Sequence, residues 1–185
     1  MPYLKKILTP AEIELVRAAE NSDLTLWSLW ACKETAYKVA RKSDAGAAFL
    51  PRQWSVVHAG SAWGKGKVII PGKDPVFVQC FASGSYVHCI GSDNIHDLDK
   101  IIWHVDPVPE NGKNADPSLF VREQLLRQLA DTYSLNFAHL EIRRLKKGGD
   151  LQPPCVYLTN EKAPFDISLS HDGRFAAYAF LKQSN

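Results

Sequence analysis

The sequence has few of the residues from which disulfide frameworks and zinc sites are built. Its four cysteines are Cys32, Cys80, Cys89 and Cys155, and none of them forms a CxxC pair or has a histidine at a zinc-finger offset. We therefore expect reduced and mostly buried thiols, because free cysteine is among the most buried residue types. Reduced thiols favour a cytoplasmic location.

Long apolar runs and a strong net charge are also absent. No stretch approaches the ~20 apolar residues that cross a bilayer, and no apolar segment follows the first lysines, so we expect no membrane segment or signal peptide. The net charge of +2 at pH 7 gives no indication of nucleic-acid binding by the protein as a whole. Hydrophobic residues at 45% and charged residues at 23% are typical of a globular protein.

Three segments carry helix-start signals. Thr9, Pro10 and Glu12 form the pattern of a capping box with proline at the first helical position. The polar residues 21–23 can cap a second helix, which we predict from about Leu24 to about Lys42. Asp116 followed by Pro117 predicts a third helix in the same way.

Short β-prone runs separated by turn residues follow each helical part. A helix followed by antiparallel strands, twice, predicts an α+β fold of two pseudo-symmetric lobes, each with a helix packed on a small antiparallel sheet. We place the first lobe at residues 1–105, a linker rich in proline, asparagine and glycine at 106–116, and the second lobe at 117–185. The predicted strands are Trp54–His58, Lys67–Ile70, Val76–Phe81, Tyr86–Ile90, Ile101–Val105, Leu140–Leu145, Cys155–Leu158, Phe165–Ser170 and Phe175–Leu181.

The second predicted helix carries a charged face. Trp30, Glu34 and Lys38 are spaced i, i+4 and i+8, so they share one side of the helix. The simpler interpretation is an ordinary helical ion pair, worth ~0.2–0.5 kcal/mol, beside tryptophans that belong to the core. The functional interpretation is that Glu34 binds a hard cation such as Mg²⁺, while Lys38 contacts phosphate oxygens or transfers a proton.

A signature in this helix resembles a known family. The segment WACKETAYK (residues 30–38) has the W-x-x-K-E-x-x-x-K pattern of the 4'-phosphopantetheinyl transferases. The upstream segment ILTPAE (residues 7–12) is similar to the one that precedes this signature in holo-acyl-carrier-protein synthases. An α+β domain unrelated to the family is the remaining interpretation.

A second constellation lies near the end of the sequence. Ser170 and His171 close an alternating strand beside Asp172-Gly173, a strong hairpin signal, and Arg174 follows. These groups can converge on a phosphate, whereas the simpler interpretation is a solvated polar hairpin tip. A Ser-His nucleophile pair is not expected, because adjacent strand residues point to opposite faces.

The segment SLSHDGRFAAYAF (residues 168–180) is similar to the SISH-x-G-x-x-x-x-AF strand of the surfactin-synthetase-activating transferases. The resemblance implies transfer of 4'-phosphopantetheine from coenzyme A to a serine of an acyl or peptidyl carrier protein by a Mg²⁺-dependent enzyme. Two lobes within one chain favour a monomer, because the cleft can form internally. It assigns Glu34 as the metal ligand, with Lys38 and Lys33 as further catalytic residues. Ser170 and His171, with Arg174 as a weaker candidate, would hold the 3'-phosphate of coenzyme A.

The sequence also departs from the family pattern. The two motifs occur in permuted order, and Pro153 stands where the family's coenzyme A loop has a lysine. The G-x-D strand that supplies the family's second metal ligand should precede Ile7, and no aspartate is found there. A truncated chain, a degenerate homologue and a carboxylate recruited from elsewhere all explain this, and the intact motif helix favours truncation. The alternative function is a non-catalytic homologue that binds coenzyme A or a carrier protein.

Overall fold

The computed structural model of the protein describes residues 4–58, 64–110 and 116–183, apart from the side chain of Asp150. Its helices and antiparallel strands confirm the predicted α+β class. The chain divides into two compact units, residues 1–99 and 100–185. Residues 111–115 of the predicted linker lie outside the described residues.

The first unit combines three helices with a four-stranded antiparallel sheet in the order β1-β2-β3-β4. The short 3-10 turn Pro51–Gln53 leads into the sheet. The elements are α1 (Leu4–Ile7), α2 (Pro10–Ala18), α3 (Ser22–Ser43), β1 (Ser55–His58), β2 (Gly64–Ile69), β3 (Val76–Ala82) and β4 (Val87–Ser92).

Side-chain caps fix the starts of the helices as the sequence predicts. The Thr9 hydroxyl accepts from the Glu12 backbone N–H at 3.3 Å, and the Glu12 carboxylate accepts from the Thr9 N–H at 2.8 Å. This is the predicted capping box. Helix α3 is capped by the Asn21 side chain, which accepts from the Leu24 N–H at 2.9 Å.

Helix α3 lies close against the sheet because its inner face is made of small residues. Cys32, Ala36 and Ala40 are buried in one cluster with sheet residues that include Val68 and Val78. The Thr35 hydroxyl donates to the Cys89 carbonyl at 3.1 Å. At this approach the helix meets Gly91, whose position has no room for a side chain.

The second unit is built around the predicted third helix, α4 (Pro117–Tyr133), which Asp116 caps. The helix buries Phe120, Val121, Leu125 and Leu129 in one core with residues of the final hairpin. The strands form sheets in the orders β11-β12-β5 and β10-β9-β6, with β7 and β8 as a separate pair. They are β5 (Ile102–Pro107), β6 (Leu140–Arg143), β7 (Lys146–Lys147), β8 (Asp150–Leu151), β9 (Cys155–Leu158), β10 (Glu161–Lys162), β11 (Phe165–Asp172) and β12 (Phe175–Lys182).

Strand β5 belongs to the second unit, although the sequence analysis assigned residues up to 105 to the first lobe. Its residues Ile102–Pro107 pair antiparallel with Phe175–Phe180 of β12. The difference arises because the strand's partner lies at the far end of the chain. A short β-prone run gives no information about a partner so distant in sequence.

None of the helices in the described part of the chain combines the length and the apolar character needed to span a bilayer.

Replacing Gly91 by alanine is expected to destabilise the first unit. A Cβ atom there would lie 2.7 Å from Thr35 Cγ2 and 3.0 Å from the Phe77 carbonyl oxygen, so the helix or the strand must move. Overpacking of this kind costs roughly 1–3 kcal/mol, measurable by urea unfolding. Gly84→Ala is the matched control, since a Cβ atom there meets nothing within 4 Å, and its effect should stay within about 0.5 kcal/mol. Equal stability of the two variants would contradict this account.

Candidate functional site

The signature face of α3 is only partly packed into the first unit. Trp30 lies edge-on to Phe49, with ring centroids 5.5 Å apart, and Phe49 also packs against Trp54 at 5.6 Å. Trp27 is 53% exposed. The simpler interpretation of the sequence, in which both tryptophans are core residues, therefore does not hold for Trp27.

Glu34 and Lys38 are half-buried on α3. Over residues 4–58, 64–110 and 116–183, Glu34 forms no hydrogen bond or ion pair. The helical Glu34–Lys38 ion pair of the simpler interpretation is therefore not formed. The Glu34 carboxylate keeps its oxygens for another partner.

Lys33 lies elsewhere than the sequence analysis expected. Its side chain is fully buried, and its Nζ donates to Glu12 Oε2 at 2.5 Å, to the Pro51 carbonyl at 2.8 Å and to the Ile7 carbonyl at 3.0 Å. An ammonium has three donors, so these acceptors use all of them. Lys33 therefore has no N–H left to donate to a substrate.

Burial lowers the pKa of Lys33 from its ordinary value, and the adjacent Glu12 carboxylate opposes that shift. The carboxylate compensates the buried charge, as a buried ammonium requires. The capping pattern of the sequence predicts the cap role of Glu12 but does not indicate this second role. The sequence does contain a signal for this ion pair. Glu12 and Lys33 occupy helix positions that otherwise face inward, and two buried charged residues have to pair.

The residues of the described part contain no group of three or more histidine, cysteine, aspartate or glutamate side chains arranged to hold a metal ion. The letters G-x-D recur at residues 91–93, at the end of β4, where Asp93 is exposed. Glu34 is thus the single sequence-predicted metal ligand that the structure describes.

The Ser-His segment of the second unit occupies the tip of the β11–β12 hairpin. Ser170 pairs with Ala177 and His171 with Ala176, so the two side chains belong to opposite faces of the strand. Ser170 is half-buried and His171 is exposed. A phosphate that contacts both must lie at the edge of β11, because neither face presents both groups.

The hairpin turn lies at Gly173 and Arg174, one residue beyond the predicted Asp172-Gly173. Gly173 has φ 54°, and a left-handed glycine at the first central position is typical of a two-residue type II′ turn. The exposed Arg174 guanidinium lies 5.4 Å from the centroid of the Phe175 ring. This cation–π contact is weak at an exposed site, so Arg174 can still turn toward an anion.

Polar side chains on β5, β12 and α4 form two further contacts that the sequence did not indicate. His104 Nε2 lies 3.1 Å from Asp106 Oδ1, and the Tyr178 hydroxyl lies 3.3 Å from the Gln128 Oε1 that accepts its hydrogen bond. Burial raises the pKa of Tyr178 to about 12, and the Asp106 charge adds to the shift. Asp106 and His171 both pair with Ala176, so their side chains share a face of the sheet. The negative charge of Asp106 disfavours the binding of an anion beside His171 on that face.

Comparison of the chain with protein families, curated proteins and solved structures finds no match to any of them.

The first unit is expected to lose stability in mild acid through His88. Burial lowers the pKa of His88 to about 4, and the charge of Lys38 acts in the same direction. The unfolded histidine binds a proton below its ordinary pKa of about 6.5 while the folded one does not, so stability falls as the pH drops from about 6.5 to 4. The loss is roughly 3 kcal/mol at most.

Urea unfolding at several pH values across this window measures the slope. His88→Gln should reduce it, and His96→Gln, at an exposed position, should leave it unchanged. An unaltered slope in His88→Gln would show that other groups carry the acid sensitivity.

Proposed function

We propose that the protein transfers 4'-phosphopantetheine from coenzyme A to a serine of an acyl or peptidyl carrier protein, on the two-lobed pseudo-symmetric fold of the 4'-phosphopantetheinyl transferases. One observation carries this proposal. Glu34 is half-buried and shares its helix face with Lys38. The Glu34 carboxylate makes no polar contact with any of the described residues. A half-buried carboxylate without a protein partner is well placed to bind a cation or a proton.

The proposed reaction is a displacement at the β-phosphate of coenzyme A. The carrier serine oxygen forms a bond to phosphorus, the bond to the bridging oxygen breaks, and the nucleotide leaves with that electron pair. Glu34 or Lys38 takes the serine proton. Lys38 in its charged form also neutralises the pyrophosphate oxygens, and the buried Lys33 takes no direct part.

In the proposed site, Glu34 would hold a Mg²⁺ ion that is bound together with the substrate. Mg²⁺ in phosphate sites commonly takes one or two protein carboxylates and completes its shell with phosphate oxygens and water. Glu34 supplies one such carboxylate. When bound, the ion supplies neutralisation of the pyrophosphate charge.

Ser170, His171 and Arg174 form the proposed contact with the 3'-phosphate of the nucleotide. Their placement at a hairpin tip provides a hydroxyl, an imidazole and a guanidinium that can reach one anion at the strand edge. In coenzyme A the 3'-phosphate takes no part in the displacement at the β-phosphate. It therefore contributes to substrate binding rather than to the chemical step.

The central experiment incubates the protein with coenzyme A, Mg²⁺ and a panel of apo-carrier proteins and follows the carrier mass. We expect a gain of one phosphopantetheine, reduced at least roughly 10²-fold in Glu34→Gln because transition-state charge loses its stabilisation. Glu14→Gln, at an exposed position of α2, should retain full activity. Coenzyme A binding without any mass gain would support the non-catalytic binder instead. The absence of transfer, together with the absence of binding to coenzyme A and to every carrier protein of the panel, would refute both functions.

His171→Ala should separate binding from chemistry. Losing one charge-assisted hydrogen bond to phosphate costs about 1.5–3 kcal/mol, so we expect KM for coenzyme A to rise roughly ten- to hundredfold with kcat nearly unchanged. His139→Ala, another exposed histidine of the same unit, is the control. A fall in kcat without a change in KM would place His171 in the chemical step and contradict the assignment.

A further inference from the structure

The buried Lys33–Glu12 ion pair connects five parts of the first unit, namely the three helices, the 3-10 turn and β1. Lys33 Nζ of α3 reaches the Ile7 carbonyl at the end of α1 and the Pro51 carbonyl of the 3-10 turn. Glu12 Oε2 accepts from Lys33 and from the Thr9 N–H, and Glu12 Oε1 accepts from the Val56 N–H of β1 at 3.0 Å. The pair therefore ties α3 to the chain segments before and after it.

This network fixes the rotation of α3 about its own axis. Successive helix residues point about 100° apart, since the helix has about 3.6 residues per turn. Lys33 and Glu34 are adjacent, so the direction in which Lys33 is held inward determines the direction of Glu34. The ammonium is held by three acceptors that come from different segments, and a small rotation of the helix would break at least one of these contacts.

An ion pair is not needed here for burial alone. The surrounding interior is apolar, with Leu8 and Leu29 almost completely buried, and apolar residues of similar volume often replace buried ion pairs without loss of stability. Apolar residues in place of Glu12 and Lys33 would not supply a directional contact. Buried polar pairs in other proteins select one arrangement among several close ones.

We infer that Lys33 and Glu12 are a positioning pair that holds α3 in the rotation that directs the Glu34 carboxylate toward the coenzyme A pyrophosphate. This inference rests on the proposed function. It gives the lysine of the signature a role that requires no contact with substrate. Lys33 acts through the helix backbone on Glu34, one residue away.

The experiment compares two double variants. Glu12→Gln/Lys33→Met removes both buried charges and keeps a capping amide at position 12. Glu14→Gln/Arg17→Met removes the exposed ion pair of α2, whose Arg17 Nη1 and Glu14 Oε1 are 2.8 Å apart, and serves as the matched control. For each we measure the melting temperature, calorimetric coenzyme A binding as a function of Mg²⁺ concentration, and the transfer rate.

We expect the buried double variant to fold cooperatively but to lose at least half of the Mg²⁺ enhancement of coenzyme A affinity, with a transfer rate lower by tenfold or more. The control should match the wild type in all three measurements. A folded buried variant with wild-type Mg²⁺ dependence and rate would overturn the inference and leave the pair a purely structural contact.

Two further outcomes of this experiment can be distinguished from each other. If the buried double variant does not fold, Glu12→Asp decides, because it keeps the carboxylate charge and the contact of the Thr9 hydroxyl with the backbone N–H of residue 12. Its carboxylate is shorter by one methylene, which withdraws it from Lys33 Nζ and from the Thr9 N–H. We expect the same loss of Mg²⁺ dependence in Glu12→Asp, and an unchanged dependence would again overturn the inference. If the wild type shows neither Mg²⁺-dependent coenzyme A binding nor transfer, the proposed function fails and the inference fails with it.

Discussion

The first unit depends on one buried ammonium that satisfies three acceptors at once. Lys33 has no exposed surface, and its contacts come from α1, α2 and the 3-10 turn before β1. A buried charge is tolerated only when it is compensated and fully hydrogen-bonded, so these segments must be in place together. The capping box of α2 is part of the same network, because the Glu12 carboxylate serves both the cap and the lysine.

The other face of α3 is governed by size rather than by charge. Small residues and Gly91 let the helix approach the sheet closely enough for the Thr35 hydroxyl to reach the Cys89 carbonyl. A helix held by a directional contact on one side and by close packing on another has little freedom to rotate or slide. The signature side chains Glu34 and Lys38 are presented from this rigid helix, as the proposed binding site requires.

Local signals in the sequence predicted the helices well, since Thr9, Asn21 and Asp116 are caps whose function depends on residues two or three positions away. The strands of four or more residues were also found, because alternation is a local pattern, whereas the two-residue strands β7, β8 and β10 were not predicted. What could not be predicted was pairing over long separations, such as β5 with β12 or Lys33 with Glu12. The W-x-x-K-E pattern located the helix correctly, but it does not distinguish an inward-pointing lysine from one that faces a ligand.

The pairing of β5 with β12 sets a condition on how the second unit can be isolated. A fragment that begins at α4 would lack Ile102–Pro107 and leave the backbone N–H and C=O groups of β12 uncovered along one side. Such an uncovered edge recruits other strands and promotes self-association. An autonomous version of this unit must therefore start near residue 100, so that the chain supplies its own outer strand.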